Sequence, residues 1–149
     1  MLSEYRKIVN ALHDEFQEYL LNYSKRAKKL DEYNLTVQQE NMLLFIMRNQ
    51  RTTVNEIAAN FSITKSAVSQ VLSHLESKGF IRRESNPNDR RESFILLGPE
   101  GKKYAELIEE TDEAFVKKYF SQVEMEELEQ MLRTMKKINQ VIHESNDAQ

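Results

Sequence analysis

The side chains best suited to chemistry in this chain are hydrogen-bonding and cationic, and they lie between Thr53 and Arg91. Lys65, Ser66, Ser69, Gln70, Ser73 and His74 recur at steps of one and three, which places them on one face of a helix. These residue types match the edges of nucleic-acid bases: Gln suits adenine, Lys suits guanine, and Ser suits either. Thr64 stands just before them in the position of a helix cap, where free backbone N–H groups and the positive dipole end favour phosphate. Further along, Asp89-Arg90-Arg91 sets two guanidinium groups side by side. A narrow minor groove concentrates negative potential and attracts such groups. Asp89 is placed to pair with Arg91 and leave Arg90 free. Thr53, Arg82 and Arg83 complete the set of candidate contacts to a polyanion.

Other chemistries lack their residues. The chain has no cysteine, which excludes a disulfide framework, a thiolate zinc site and a cysteine redox switch. His13, His74 and His143 are far apart and have no histidine partner four residues away, so no metal site and no cofactor are expected. There is no nucleophile–base arrangement and no Gly-rich phosphate loop, so no enzyme is expected. The longest apolar run, Met42–Met47, is far short of a membrane span. Acidic residues interrupt the first segment, which argues against a signal peptide. A cytoplasmic protein follows as the expectation.

The elements that must position these groups can be read from spacing and caps. With 149 residues, three Gly and two Pro, the chain suits one domain with appendages and long helices. Apolar residues at helical spacing from Tyr5 to Leu30 predict one long helix over 3–30. Thr36 followed by Gln39 is a capping box that starts a second helix through the apolar run. Thr53 with Glu56 is another, opening a short helix over Val54–Asn60. Thr64 caps the helix that bears the polar face, running from Lys65 to about Lys78 and stopping at Gly79. Opposite that face, Ala67, Val68, Val71, Leu72 and Leu75 form an apolar stripe. Residues 80–84 and 93–97 read as two strands joined by a long turn-forming tip that carries the Arg pair. Pro99 opens a further helix. From Met125 through Leu128, Leu132, Met135 and Asn139 to Ile142, steps of three and four residues make a seam of the coiled-coil type. The tail from Glu144 is expected to fray.

The fold class is therefore mainly α with a small β-hairpin wing: a winged helix-turn-helix over 36–98, with helical regions over 3–30 and 99–146. Charge follows the same division. Residues 1–47 carry a net of −1, residues 48–103 a net of +4, and residues 104–149 a net of −6. A basic middle between acidic flanks is the footprint of a segment that meets a polyanion.

On these residues the chain resembles the MarR family of bacterial transcriptional regulators. The resemblance rests on the helix-turn-helix Val54–Lys78, the run Leu75–Arg83, the wing motif Asp89-Arg90-Arg91, and the Leu97–Gly101 spacing that opens the next helix. Gly98 departs from the pattern, standing where a Thr cap is common. The resemblance implies a homodimer formed by the first and last two helices, bound to double-stranded DNA at a pseudo-palindromic promoter site, and repression of transcription. Two copies would set their recognition helices about 34–36 Å apart. Phosphate contacts would come from Thr64, Lys65, Arg82, Arg83 and the wing, and base readout from Ser66, Ser69 and Gln70. It also implies a small aromatic or lipophilic effector, with Phe16, Tyr19, Tyr23, Phe45, Tyr104 and Ile108 as candidate lining residues. The same spacing equally suits plain core packing. Two alternatives stay open: a winged helix that binds protein without specific DNA contact, and a seam that closes a bundle within one chain.

Overall fold

Three threonines begin the central helices. The computed structural model describes residues 1–148. The Thr36 hydroxyl accepts the Gln39 N–H at 3.2 Å while the Gln39 side chain accepts the Thr36 N–H at 2.9 Å, the full reciprocal box. It opens α3, Val37–Arg48. Thr53 opens α4, Val54–Phe61, and Thr64 opens α5, Lys65–Ser77. At Thr53 only half the box forms. The Glu56 N–H donates to the Thr53 hydroxyl, but the Glu56 carboxylate accepts from Thr52 Oγ1 at 2.9 Å.

Helix ends are equally local. Ser62 ends α4 in the left-handed region at φ 53°, where the Ile63 N–H reaches the Ala58 carbonyl at 3.1 Å. The turn to α5 is therefore only three residues, Ser62 to Thr64. After α5, Gly79 takes φ 78°, with the Phe80 N–H on the Leu75 carbonyl at 2.9 Å and the Gly79 N–H on Glu76 at 3.0 Å. This paired arrangement needs a left-handed residue past the helix end, for which Gly has no steric penalty.

The strands are β1 (Thr52–Thr53), β2 (Ile81–Ser85) and β3 (Ser93–Leu97), an antiparallel sheet in the order β1-β3-β2. Register runs from Ile81 opposite Leu97 to Ser85 opposite Ser93, and Thr52 lies opposite Ile95. Two strands were expected; the third is a two-residue piece that shields the free edge of β3. Next come α6 (Pro99–Lys118), a 3₁₀ turn at Phe120–Gln122, and α7 (Met125–Asp147). The tail expected to fray from Glu144 instead stays helical to Asp147; Gln149 lies outside the described residues.

The long first helix is also shorter than expected. It ends as α1, Leu2–Ser24, and a separate turn, α2, spans Lys28–Asp31. The apolar spacing runs unbroken through the junction, yet its two halves have different fates. Leu30 joins the core and Ala27 packs on it, whereas no residue of α1 is buried.

The chain divides into two units, Met1–Thr111 and Asp112–Gln149. The core of the first gathers Met42, Leu43 and Ile46 from α3, Ile57 and Ala58 from α4, Val68, Leu72 and Leu75 from α5, Phe80 from the bend before β2, then Ile81 and Ile95 from the sheet. Tyr104 and Ile108 of α6 close it, so the core draws on residues outside 36–98. Tyr33, Phe80 and Tyr104 meet edge to face, with Tyr33 and Tyr104 centroids 5.1 Å apart. Each fully buried side chain of this size contributes about 1.5–3 kcal/mol. In the second unit, Phe115 packs on Tyr119 and Phe120, and no described residue is buried.

Gly98 has a reason other than capping. Its N–H donates to the Phe80 carbonyl at 2.8 Å, and a Cβ there would collide with the Gly79 carbonyl oxygen. The departure from a Thr cap reflects two backbones passing at contact.

Candidate nucleic-acid interface

α5 separates its two faces completely. Val68, Leu72 and Leu75 are fully buried. Lys65, Ser66, Gln70, Ser73 and His74 are exposed and Ser69 is half-buried, so the structure brings all six onto one outward surface. Thr64 is exposed, and its hydroxyl accepts the Ala67 N–H at 3.1 Å. Caps of this kind leave further N–H groups at the helix start free for an anion.

Thr53 differs from the others. It is only 5% exposed, its hydroxyl is taken by the Glu56 N–H, and it lies in β1 opposite Phe94. It caps and pairs, and it does not share the outward face. The expectation of a direct contact from Thr53 fails for that reason.

The arginines of β2 also part company. Arg82 is exposed. Arg83 Nε lies 3.3 Å from Glu76 Oε2, joining the strand to the end of α5. Its charge is engaged in holding the wing root against the helix that bears the polar face.

The tip is built from side-chain acceptors. Asn86 Oδ1 takes the Asn88 N–H at 3.0 Å, and Asp89 Oδ1 takes the Arg91 N–H at 3.0 Å. Asp89 N–H reaches the Asn86 carbonyl and Glu92 N–H the Asp89 carbonyl, at 3.3 and 3.2 Å. Asp89 was expected to pair with the Arg91 guanidinium; instead it fixes the Arg91 backbone. Arg90 and Arg91 are exposed, and neither guanidinium forms an ion pair among the described residues. Both therefore project from a turn whose backbone is already bonded.

Two residues escaped the sequence reading. Asn55 Nδ2 donates to Glu92 Oε1 at 3.1 Å, linking the first turn of α4 to the far end of the tip. Arg51 lies over the Phe94 ring at 5.9 Å. Neither contact has a local signature, because the partners are tens of residues apart.

The candidate effector residues lie on α1, α3 and α6. Tyr104 and Ile108 are core residues. Phe45 packs edge to face on Phe61, with centroids 5.8 Å apart. Phe16, Tyr19 and Tyr23 run along α1, Tyr19 and Tyr23 stacked at 5.8 Å and Phe16 exposed. Beside Tyr23, the Arg26 guanidinium sits 4.0 Å over the ring and donates to the Tyr23 carbonyl. Burial first, and then the nearby Glu40 charge, push the Tyr104 phenol well above its usual range. Burial likewise raises the Glu40 carboxyl, against the opposing pull of Arg26. His13 and His74 lie on α1 and α5 and His143 on α7.

The family model described as MarR family matches residues 33–92, which spans α3, the helix-turn-helix and the wing tip. The uncharacterized HTH-type transcriptional regulator YwhA of Bacillus subtilis is 31% identical over 137 residues, covering 86% of this chain and 99% of that relative. The chain belongs to the MarR family. Its closely matching fold is seen in Streptococcus pneumoniae FabT in complex with DNA, with a TM-score of 0.76 at 21% identity over 94% of this chain and 98% of that one. The Staphylococcus aureus MepR–DNA complex gives 0.62 at 27% identity, over 87% and 96%. This chain is a MarR-family transcriptional regulator, not an enzyme. Among the described residues, no helix is long and apolar enough to cross a membrane.

Proposed function

We propose that the chain is a homodimeric, sequence-specific repressor that reads a pseudo-palindromic promoter site and acts in the cytoplasm at the nucleoid. The observation that carries this reading is the outward face of α5, uncommitted to packing, beside a wing tip with two exposed arginines. In this role Ser66, Ser69, Gln70, Ser73 and His74 face base edges in the major groove. Thr64, Lys65 and Arg82 bind phosphates. Asp89 holds the tip so that Arg90 and Arg91 enter the minor groove. Residues 36–98 form the DNA-binding lobe, and 3–30 with 99–146 the dimerisation region.

The homodimer is supported by apolar surface that the single chain leaves uncovered. Tyr5, Ile8, Leu12 and Phe16 on α1, and Leu132, Met135, Ile138 and Ile142 on α7, are all exposed. A monomer rarely leaves such apolar stripes in water, and a two-fold pairing buries the same faces on both copies. A small aromatic or lipophilic effector that changed the angle between paired lobes would release DNA. The reading rests on DNA recognition and not on the six candidate effector residues.

The test is selection of duplexes from a random pool at physiological salt. The expected product is an inverted repeat with half-sites about 10 bp apart. Recovery of no motif, with binding that fades as salt rises, would overturn site-specific recognition and leave a winged helix that binds protein.

A further inference from the structure

We propose that Asn55 and Glu92 are positioning residues that fix the reach of the wing relative to α5, and with it the spacing of the two groove contacts on DNA. The proposal rests on the DNA-binding reading above.

The wing tip is self-contained. Its bonds, from Asn86 to Asn88 and Asp89 and from Asp89 to Arg91 and Glu92, all close within the tip. They set its shape but not its direction. A two-stranded ribbon has little stability of its own and twists readily, so direction must come from contacts with the helices. At the root, Arg83 holds β2 to Glu76 of α5, and Phe94 pairs with Thr53. Beyond that pairing, the one polar link from tip to helices among the described residues is Asn55 Nδ2 on Glu92 Oε1. Without it, the last fixed point retreats to Phe94 and the whole segment carrying Arg90 and Arg91 gains freedom. That freedom must then be lost on binding.

Charge gives a second argument. Glu92 puts a carboxylate directly after Arg91, on a surface meant for a polyanion. There it opposes binding unless it has other work. Its bond to Asn55 supplies that work. Because Asn55 is exposed and Glu92 half-buried, the bond adds little to folding stability. Its value lies in aim.

The experiment uses the full chain and the duplex recovered by selection. Asn55→Leu removes the donor without changing charge. The expected result is an unchanged melting midpoint, faster amide exchange at residues 88–91, an affinity loss of about fivefold, and a salt slope lower by about one. Asn55→Asp alone opposes two carboxylates and should bind weakest. Combining Asn55→Asp with Glu92→Gln rebuilds the bond with donor and acceptor exchanged at the wild-type net charge, and should restore affinity to within about twofold. Wild-type exchange and affinity in Asn55→Leu would overturn the proposal. So would an equal effect of Glu92→Gln in both backgrounds, since charge alone would then explain it. Arg91→Ala separates the two levels. If it weakens binding while Asn55→Leu does not, only the tie is wrong; if it has no effect, the wing has no part in binding and both readings of it fall.

Discussion

α5 and α7 are both amphipathic helices, yet they invert each other. The apolar stripe of α5 packs on α4 and the sheet in a core it shares with α3, so Val68, Leu72 and Leu75 are fully buried. What α5 offers outward is polar. α7 has no buried residue, and Leu132, Met135 and Ile138 remain about half exposed. What α7 offers outward is apolar. The difference lies in what each unit covers: the apolar face of α5 is satisfied within the lobe, whereas nothing in its own unit covers that of α7, so the proposed function assigns α5 its polar face and α7 its apolar one.

The contrast can be broken most forcefully from inside. Leu72→Ala should cost about 3 kcal/mol of lobe stability, measured by denaturant unfolding; a cost below about 1 kcal/mol would mean that the α5 stripe is not closed as described. Ile138→Lys in the exposed α7 stripe should leave helicity intact but convert the sedimenting species to monomer, since a desolvated, unpaired charge at a two-fold interface is repeated on both copies. Sedimentation like that of the wild type would place the covering partner elsewhere. Arg91→Ala should weaken binding to the selected duplex by about 1–2 kcal/mol and lower the salt slope by about one, with melting unaffected.

The smallest effect sharpens the lobe side. Burial raises the Glu40 carboxyl above its usual 4.5. A carboxyl raised in the folded state stabilises in its protonated form, fully so below its unfolded value, and that contribution is lost as pH climbs through the raised one. Glu40→Gln mimics the protonated form and keeps an acceptor for Tyr104. Its melting midpoint should therefore gain slightly on the wild type between pH 4.5 and 7, as followed by calorimetry. A gap that narrows with rising pH would contradict the shift.

The sequence made α5 legible because its stripe and its polar face exclude each other at every position from Ala67 to Leu75. Caps were legible for a similar reason: Thr36, Thr53 and Thr64 act within three residues of themselves. Periodicity failed where one pattern served two purposes. Tyr23, Ala27 and Leu30 continue the α1 spacing, but Leu30 belongs to the core and α1 does not. β1 escaped because two threonines have no period to read, and they pair only by virtue of β3. In the candidate site, residue types were legible but commitments were not. Arg83 looks like Arg82 until Glu76 is found beside it, and Asp89 looks like an ion-pair partner until its carboxylate is seen to hold a backbone N–H.

The core's span, from Leu30 to Ile108, also sets a timetable for synthesis. Met42, Leu43 and Ile46 leave the ribosome well before Ile95, Tyr104 and Ile108, which must cover them. At about 5–20 residues per second the interval from Leu30 to Ile108 is about 4–16 s. For that time the nascent chain shows apolar surface that the finished lobe hides. Substitutions that loosen β3 or the start of α6 should therefore appear first as poor yield in the cell, while the molecules that do fold still bind DNA normally.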